Sequence, residues 1–264
     1  MSIEGEKMNI FLRLYQYREL LKSNVKKEIR GKYKGSFLGV LWSFINPLLT
    51  VLVYAIVFPY ILRVKQENYL IFLIVAIIPW SFFTTVISQG TTTIIANENI
   101  IKKVFFPREI LPISVAVSGL VNFFISCVIV LLFVIGSGIG VHKYLILLPV
   151  IALIQFMLQL GIIFILSSIN VYIRDVEYIV NFFVTMLFYG TPIIYSLDMF
   201  PQKMKWLLYL NPMAHIIEGY RSILYYLRWP SFVEMSLVAI FSLIVMIIGY
   251  LIFRKLEKGF AEEV

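Results

Sequence analysis

The sequence predicts an all-α integral membrane protein. Of its 264 residues, 60% are hydrophobic and only 14% are charged, with a mean hydropathy of +0.89. A soluble domain would carry about 25% charged residues. Six apolar stretches each reach the roughly 20 residues that a helix needs to span a bilayer. Helices are favoured because backbone groups in lipid must be satisfied within the segment, and the alternating pattern of a membrane β-strand is absent.

The six predicted spans form one transmembrane domain, residues 1–264, with a polar segment 1–37 before them and a short tail 255–264 after them. The interiors of the six spans carry no acidic residue. The two acidic residues within the span bounds, Glu177 and Glu234, each lie among the first three residues of a span. A carrier driven by an ion gradient usually needs an ionisable group at membrane depth. The chain is therefore expected to take its energy from a partner. The predicted spans are 38–62, 70–95, 110–135, 144–170, 176–197 and 232–254.

The polar segment 1–37 predicts an amphipathic helix at the inner membrane surface. Its lysines lie mostly off an apolar face, an arrangement suited to the lipid interface. Two roles stay open: an anchor that sets orientation, and a collar that also touches a cytoplasmic partner. The apolar face comprises Ile10, Leu14, Tyr17, Leu21 and Val25, which recur three or four residues apart.

The basic residues predict the orientation. Sixteen of the 23 Lys and Arg residues fall in the termini and in the connections after the second and fourth spans. Because cytoplasmic segments carry the excess of positive charge, both termini are expected in the cytoplasm. The net charge of +8 is thereby attributed to topology, and no nucleic-acid partner is predicted.

The chain carries no motif for its own chemistry. It has no G-x-x-x-x-G-K-[ST] phosphate loop, no G-x-S-x-G and no H-E-x-x-H. Cys127 is the single cysteine, and the two histidines, His142 and His215, are too scattered for a metal site. We expect no enzyme activity, no metal and no cofactor bound by this chain.

The connection between the second and third predicted spans, residues 97–109, is the most informative. A short helix is predicted to begin at Asn97, capped by its side chain. Pro107 is expected to end the apolar run before it, leaving Phe105 and Phe106 as an exposed pair at the membrane surface. Such a pair fits a docking site for another protein. The alternative is a surface loop whose aromatic rings sit among the lipid headgroups.

Four stretches of the chain resemble the ABC-2-type permeases that export bacterial polysaccharides. They follow in the family's order and together cover nearly the whole chain. The first resembles the family's opening span, the second its cytoplasmic loop, the third its fourth-to-fifth connection and the last its external segment. The stretches are KGSFLGVLWSFINPLL (34–49), NENIIKKVFFPREILP (97–112), SSINVYIRDVEYIV (167–180) and YLNPMAHIIEGYRSILY (209–225).

The resemblance implies a half-transporter of the bacterial cytoplasmic (inner) membrane. Two copies would pair with two ATP-binding cassette subunits, which bind ATP and Mg²⁺ and drive export of a lipid-linked polysaccharide, O-antigen or teichoic acid. Residues 97–107 would form the coupling helix, with the N-terminal helix beside it and a second contact at residues 174–175. The implied coupling residues are Asn97, Glu98, Lys102, Lys103, Phe105, Phe106, Pro107, Arg108, Arg174 and Asp175.

Aromatic residues of the first and fifth predicted spans are candidates for the substrate path. Sugar rings have apolar C–H faces that stack on aromatic rings, and Tyr and Trp add a polar edge for hydroxyl groups. The alternative is ordinary packing against lipid and an interfacial aromatic belt. The candidates are Trp42, Tyr54, Phe58, Tyr189 and Tyr195.

The external segment 198–231 is too long for a simple turn. It predicts short helices that dip back into the outer leaflet, one of them carrying Glu218 and Arg221 at a spacing that allows an ion pair. With Trp206 they are candidates for an exit gate, and a surface cap is the alternative. The rival functions for the whole chain are an ABC-2 permease for a drug or lipid, and a membrane scaffold.

Overall fold

The computed structural model describes residues 13, 15–31, 37, 39–61, 67–199 and 202–263. Within these residues all regular structure is helical, as the sequence predicts. The helices are α1 Arg18–Gly31, α2 Trp42–Ile61, α3 Tyr69–Thr92, α4 Glu98–Ile101, α5 Ile110–Gly136, α6 Leu148–Tyr172, α7 Val176–Tyr189, α8 Lys205–Leu210, α9 Pro212–Leu224, α10 Phe232–Leu256 and α11 Phe260–Glu263.

Four of the described helices are long and apolar enough to cross a membrane. They correspond to the second, third, fourth and sixth predicted spans, with ends that differ by a few residues from those expected. A 3₁₀ turn extends the third of them at its start, and another extends the fourth at its end. The four helical stretches are Tyr69–Thr92, Ile110–Gly136, Lys143–Tyr172 and Phe232–Gly259.

The helix at the first predicted span, α2, has 20 residues, and the helix at the fifth, α7, has only 14. At 1.5 Å per residue, the 14 residues of α7 cover about 21 Å, less than the roughly 30 Å hydrocarbon core. The helix expected to run to residue 197 ends at Tyr189. One cause is local: Pro192 cannot donate a backbone hydrogen bond and disfavours helical geometry at the residue before it.

The centre of the bundle is α3, which packs against α2, α5, α6, α7 and α9. Every residue from Ile71 to Trp80 is buried, as expected for a helix that is apolar on all sides. Its Pro79 carbonyl accepts a hydrogen bond from Gln155 Nε2 at 2.8 Å, and Gln155 Oε1 accepts one from the Tyr220 hydroxyl at 3.1 Å. These two bonds join α3, α6 and α9 in the core.

The amphipathic prediction for the N-terminal segment fits α1, which packs against α5. Leu21 and Val25 are half-buried toward Val117 of α5, whereas Lys22 and Lys26 are exposed. The apolar face of α1 therefore rests on protein. Two residues of the predicted face, Ile10 and Leu14, lie outside the described residues.

Helices α6 and α10 approach each other most closely at two glycines, Gly161 and Gly249. A Cβ atom on Gly249 would stand 2.2 Å from the Gly161 carbonyl oxygen, a distance that no real contact tolerates. Small residues allow such backbone contact between helices in a membrane, where packing replaces the hydrophobic effect as the driving force.

We expect Gly249→Ala to push α10 away from α6 and to lower the free energy of unfolding by about 1–3 kcal/mol, as overpacking does. Thermal unfolding of the purified protein in detergent measures this. Gly136→Ala is the matched control, because a Cβ there has no heavy atom within 4 Å. Equal thermal midpoints for the two variants would contradict the packing described.

Candidate functional site

The 97–109 connection begins with a single helical turn, α4. It continues as an irregular segment whose residues 102–105 are exposed. Phe105 is 94% exposed, while Phe106 is only 7% exposed and packs into the core. The expected exposed pair is therefore a single exposed residue, because Phe106 fills the space under the connection. Lys102 and Lys103 are exposed near Phe105, whereas Glu98 and Pro107 are half-buried.

Asn97 does not cap α4 with its side chain, contrary to the prediction. Its Nδ2 donates instead to the Thr93 carbonyl at 2.8 Å, and its Oδ1 accepts from Lys27 Nζ at 2.9 Å. The Asn97 side chain thus binds backward to the end of α3 and across to α1. Lys27 was seen in the sequence only as part of a basic helix face.

The other end of the connection is held by buried charge. Glu109 is fully buried, and its Oε1 lies 3.2 Å from Arg13 Nη2, which also donates to the Tyr250 hydroxyl at 2.7 Å. Arg108 donates to the Glu257 carbonyl oxygen, and its guanidinium lies 5.9 Å from the centre of the Phe260 ring. The connection is therefore attached to the C-terminal end of α10.

The turn between α6 and α7 lies at the same end of the bundle. Arg174 and Asp175 are both exposed there. The neighbouring Tyr172 donates to the Leu256 carbonyl at 2.8 Å, and its ring lies 6.3 Å from that of Phe260. The structure therefore brings both groups of implied coupling residues to one face around the end of α10.

The candidate path residues divide into two places. Tyr54 of α2 and Trp80 of α3 both pack on Phe188 of α7, at ring distances of 6.0 and 5.9 Å. Tyr189 is 65% exposed, and its carbonyl accepts from the Tyr195 hydroxyl at 2.9 Å. Helices α2 and α7 thus lie together on α3, with aromatic rings between them.

Trp42 lies elsewhere, at the start of α2. It lines a cavity of 160 Å³ between α2, α3 and α5, together with the polar side chains of Asn46 and Asn122. Trp42 and Tyr54 are twelve residues apart on one helix, about 18 Å at 1.5 Å per residue. The Phe58 side chain lies outside what the structure describes.

The external segment is built around Arg221, which is fully buried. Its Nη1 donates to the Pro192 carbonyl, and its Nη2 donates to the Ile193 carbonyl at 2.7 Å. Its guanidinium lies 3.5 Å from the centre of the Phe72 ring. The predicted partner Glu218 is present at 3.8 Å, but the two carbonyls are closer. Burial lowers the pKa of Arg221 to about 10, so it remains charged at neutral pH.

The segment that follows α7 is thus non-helical backbone buried in protein, where its polar groups find partners. Asn211 also stabilises this segment, because its Nδ2 donates to Thr191 Oγ1 at 2.8 Å. Its Oδ1 accepts from the Met213 amide at 3.0 Å, and this hydrogen bond caps α9. Helix α9 is buried among α3, α6 and α10, so a surface cap does not describe it. Trp206, on α8, is 58% exposed.

The described residues contain no group of three or more His, Cys, Asp or Glu side chains that could hold a metal ion. His215 lies 3.3 Å from Glu234 and 3.1 Å from the Tyr209 carbonyl, which gives it a local structural role. The arrangement offers an exposed aromatic residue on the 97–109 connection and a group of aromatic rings between α2, α3 and α7.

Comparisons with known proteins agree on the family. The ABC-2 type transporter family matches residues 19–225. The O-antigen export system permease protein RfbA of Myxococcus xanthus is 36% identical over 253 residues, covering 95% of this chain and 97% of the relative. A protein of the same name from Klebsiella pneumoniae is 36% identical over 246 residues, covering 92% and 94%.

A more distant relative is the polysialic acid transport protein KpsM of Escherichia coli. It is 22% identical over 241 residues, covering 88% of this chain and 92% of the relative. The matches run through the 97–109 connection, the aromatic helices and the segment around Arg221. The chain therefore belongs to the ABC-2 type transporter family.

Proposed function

We propose that this chain is the transmembrane subunit of an exporter that moves a lipid-linked polysaccharide across the bacterial cytoplasmic membrane. The observation that carries the proposal is the similarity to O-antigen export permeases over more than nine tenths of the chain. ATP hydrolysis in a separate subunit, with its Mg²⁺, supplies the energy. The absence of acidic residues from the interiors of the predicted spans supports this dependence on a partner.

The ATP-binding subunit docks on the face formed by the 97–109 connection and residues 174–175. An exposed aromatic flanked by lysines, on a connection whose two ends are attached to the bundle, is suited to contact with another protein. Both termini lie in the cytoplasm, as the distribution of basic residues supports. Two ATP-binding subunits bind two copies of this chain.

The substrate path lies between the two copies, beside α2 and α7, which complete six spans in each. These helices carry exposed rings such as Tyr189, and exposed polar residues such as Asn181 and Thr185. Polar side chains exposed at membrane depth are rare on lipid-facing surfaces. A second copy and a hydrated glycan would cover them, whereas lipid alone would not.

The substrate class is an O-antigen-like glycan, because the more similar relatives are named for O-antigen export. Teichoic acid is a second glycan candidate that no named relative favours. The alternative function is an ABC-2 permease for a drug or another lipid.

The test is ATP turnover by this chain co-purified with its ATP-binding subunit in proteoliposomes, with and without a lipid-linked glycan. We expect vanadate-sensitive turnover that responds to the glycan. Turnover that ignores the glycan would indicate another ABC-2 substrate. Failure to form any complex with the ATP-binding subunit would contradict the docking face.

We expect combined alanine substitution of the path candidates to reduce glycan export at least about tenfold, because stacking surface for the sugars is lost. ATP hydrolysis should stay within about twofold of the wild type. The substituted residues are Trp42, Tyr54, Phe58, Tyr189 and Tyr195.

The matched control is Phe241→Ala, a ring 48% exposed on α10. Export is measured as glycan delivered into inverted vesicles per ATP hydrolysed. Normal export by the combined variant would remove these residues from the path.

A further inference from the structure

Helix α1 and Arg13, which lies five residues before it, bind the 97–109 connection at both of its ends. Lys27 contacts Asn97 at the start of the connection, with 2.9 Å between Nζ and Oδ1. Arg13 contacts Glu109 at its end, with 3.2 Å between Nη2 and Oε1. The earlier residue of the N-terminal segment, Arg13, contacts the later end of the connection, and Lys27 contacts its earlier end. The N-terminal segment therefore lies antiparallel along the connection. We call these two contacts the N-terminal clamp.

The two ends of the clamp differ in burial. Lys27 is exposed, so its bond to Asn97 can exchange with water. Arg13 is 8% exposed and Glu109 is fully buried. A buried carboxylate without its cation is strongly unfavourable, so the Arg13–Glu109 pair holds firmly once formed. The firm end of the clamp lies on the side of the connection that leads into α5.

The firm end continues into the last span. Arg13 donates to the Tyr250 hydroxyl of α10 at 2.7 Å, and Arg108 donates to the Glu257 carbonyl just beyond α10. One more ion pair, Arg254 with Glu257, holds the end of α10 itself. A single network of charged groups therefore joins the N-terminal segment, the connection and the last span.

We propose that the N-terminal clamp makes the 97–109 connection move as one body with α1 and α10, so that Arg13, Lys27 and Glu109 are positioning residues for coupling. This inference rests on the proposed function, because the displacement it conveys comes from the docked ATP-binding subunit. A connection held at one end only would bend at its other end. The displacement of the docked ATP-binding subunit would then not reach α1 and α10. The exposed docking residue Phe105 lies between the two held ends, where the clamp transmits its movement to both sides.

The experiment uses the complex with the ATP-binding subunit and the double variant Arg13→Gln with Lys27→Met. We expect the complex to co-purify at the wild-type ratio and ATP hydrolysis to stay within about twofold. Glycan exported per ATP hydrolysed should fall at least about tenfold. The charge swap Arg13→Glu with Glu109→Arg restores the pair in reverse and should recover at least about half of that ratio.

A second readout needs no transport. Trypsin cleaves a helix when it opens locally, and cleavage reports the population of the open state. We expect cleavage at Arg18 and Lys22 to be at least about tenfold faster in the double variant. Glu19→Gln is the matched control, because Glu19 pairs with Arg18 and Lys22 on the exposed side of α1.

Either of two results would overturn the inference. One is wild-type export per ATP and wild-type cleavage in the double variant. The other is a parallel fall of ATP hydrolysis and export, which would assign the residues to folding or docking. A wild-type complex that ignores glycan would instead contradict the proposed function, while the cleavage assay would still test the clamp itself.

Discussion

Replacing Arg221 with methionine is expected to lower the free energy of unfolding by about 3–5 kcal/mol, the range found when one partner of a buried charged contact is removed. The methionine fills a similar volume but donates no hydrogen bond. The Pro192 and Ile193 carbonyls then lose their donors, and half-buried Glu218 loses its contact with the guanidinium. Because the segment after α7 is largely non-helical, we expect the end of the bundle around Pro192 and Ile193 to open.

Thermal unfolding in detergent and the folded yield measure this effect. Arg228→Met is the matched control: Arg228 is exposed and stacks on the Tyr226 ring at 4.9 Å, so its loss should change stability by less than about 0.5 kcal/mol. The stability of Arg221→Lys should lie between those of the two methionine variants. A lysine keeps the positive charge but lacks the planar guanidinium group that donates to both carbonyls. If Arg221→Met unfolds at the same temperature as Arg228→Met, the carbonyls must have other partners.

The long helices were predictable because hydropathy alone determines them. Span boundaries at α3, α5 and α10 agree within a few residues, since a run of apolar residues ends where charged residues return. The end of α7 was not predictable in this way. Residues 190–197 are apolar enough to continue the span, and the helix stops because of Pro192 and because Arg221, distant in sequence, stabilises the broken backbone.

The candidate site was predictable in place but not in detail. Sequence reasoning located the 97–109 connection, yet it treated Phe105 and Phe106 alike and gave Asn97 a capping role. Both errors have a tertiary origin: Phe106 is buried in the hydrophobic core, and the bond from Lys27 to Asn97 depends on the position of α1 beside the connection. Arg13 carries no local signal at all, because its partner Glu109 lies 96 residues away.

Phe105→Ala is expected to weaken binding of the ATP-binding subunit by about 30-fold or more, since a buried aromatic anchor at an interface contributes about 2 kcal/mol or more. Phe105 is 94% exposed in the isolated chain, so its removal leaves no cavity in the bundle. Insertion and thermal stability should therefore be unchanged. Titration of the purified ATP-binding subunit against the permease in nanodiscs measures the affinity, and coupled ATP turnover should fall with it at limiting subunit concentrations.

Phe106→Ala separates docking from folding. Phe106 is 7% exposed, and truncating a buried Phe costs about 3–5 kcal/mol, so this variant should lose stability first and affinity only as a consequence. Phe232→Ala is the control for the loss of an exposed aromatic ring, because Phe232 is 60% exposed at the start of α10. It should change neither the stability of the permease nor its affinity for the ATP-binding subunit. Unchanged affinity in Phe105→Ala would move the docking surface away from this connection. The exposed residues Arg174 and Asp175 would then have to supply the contact, because they lie on the same face of the bundle.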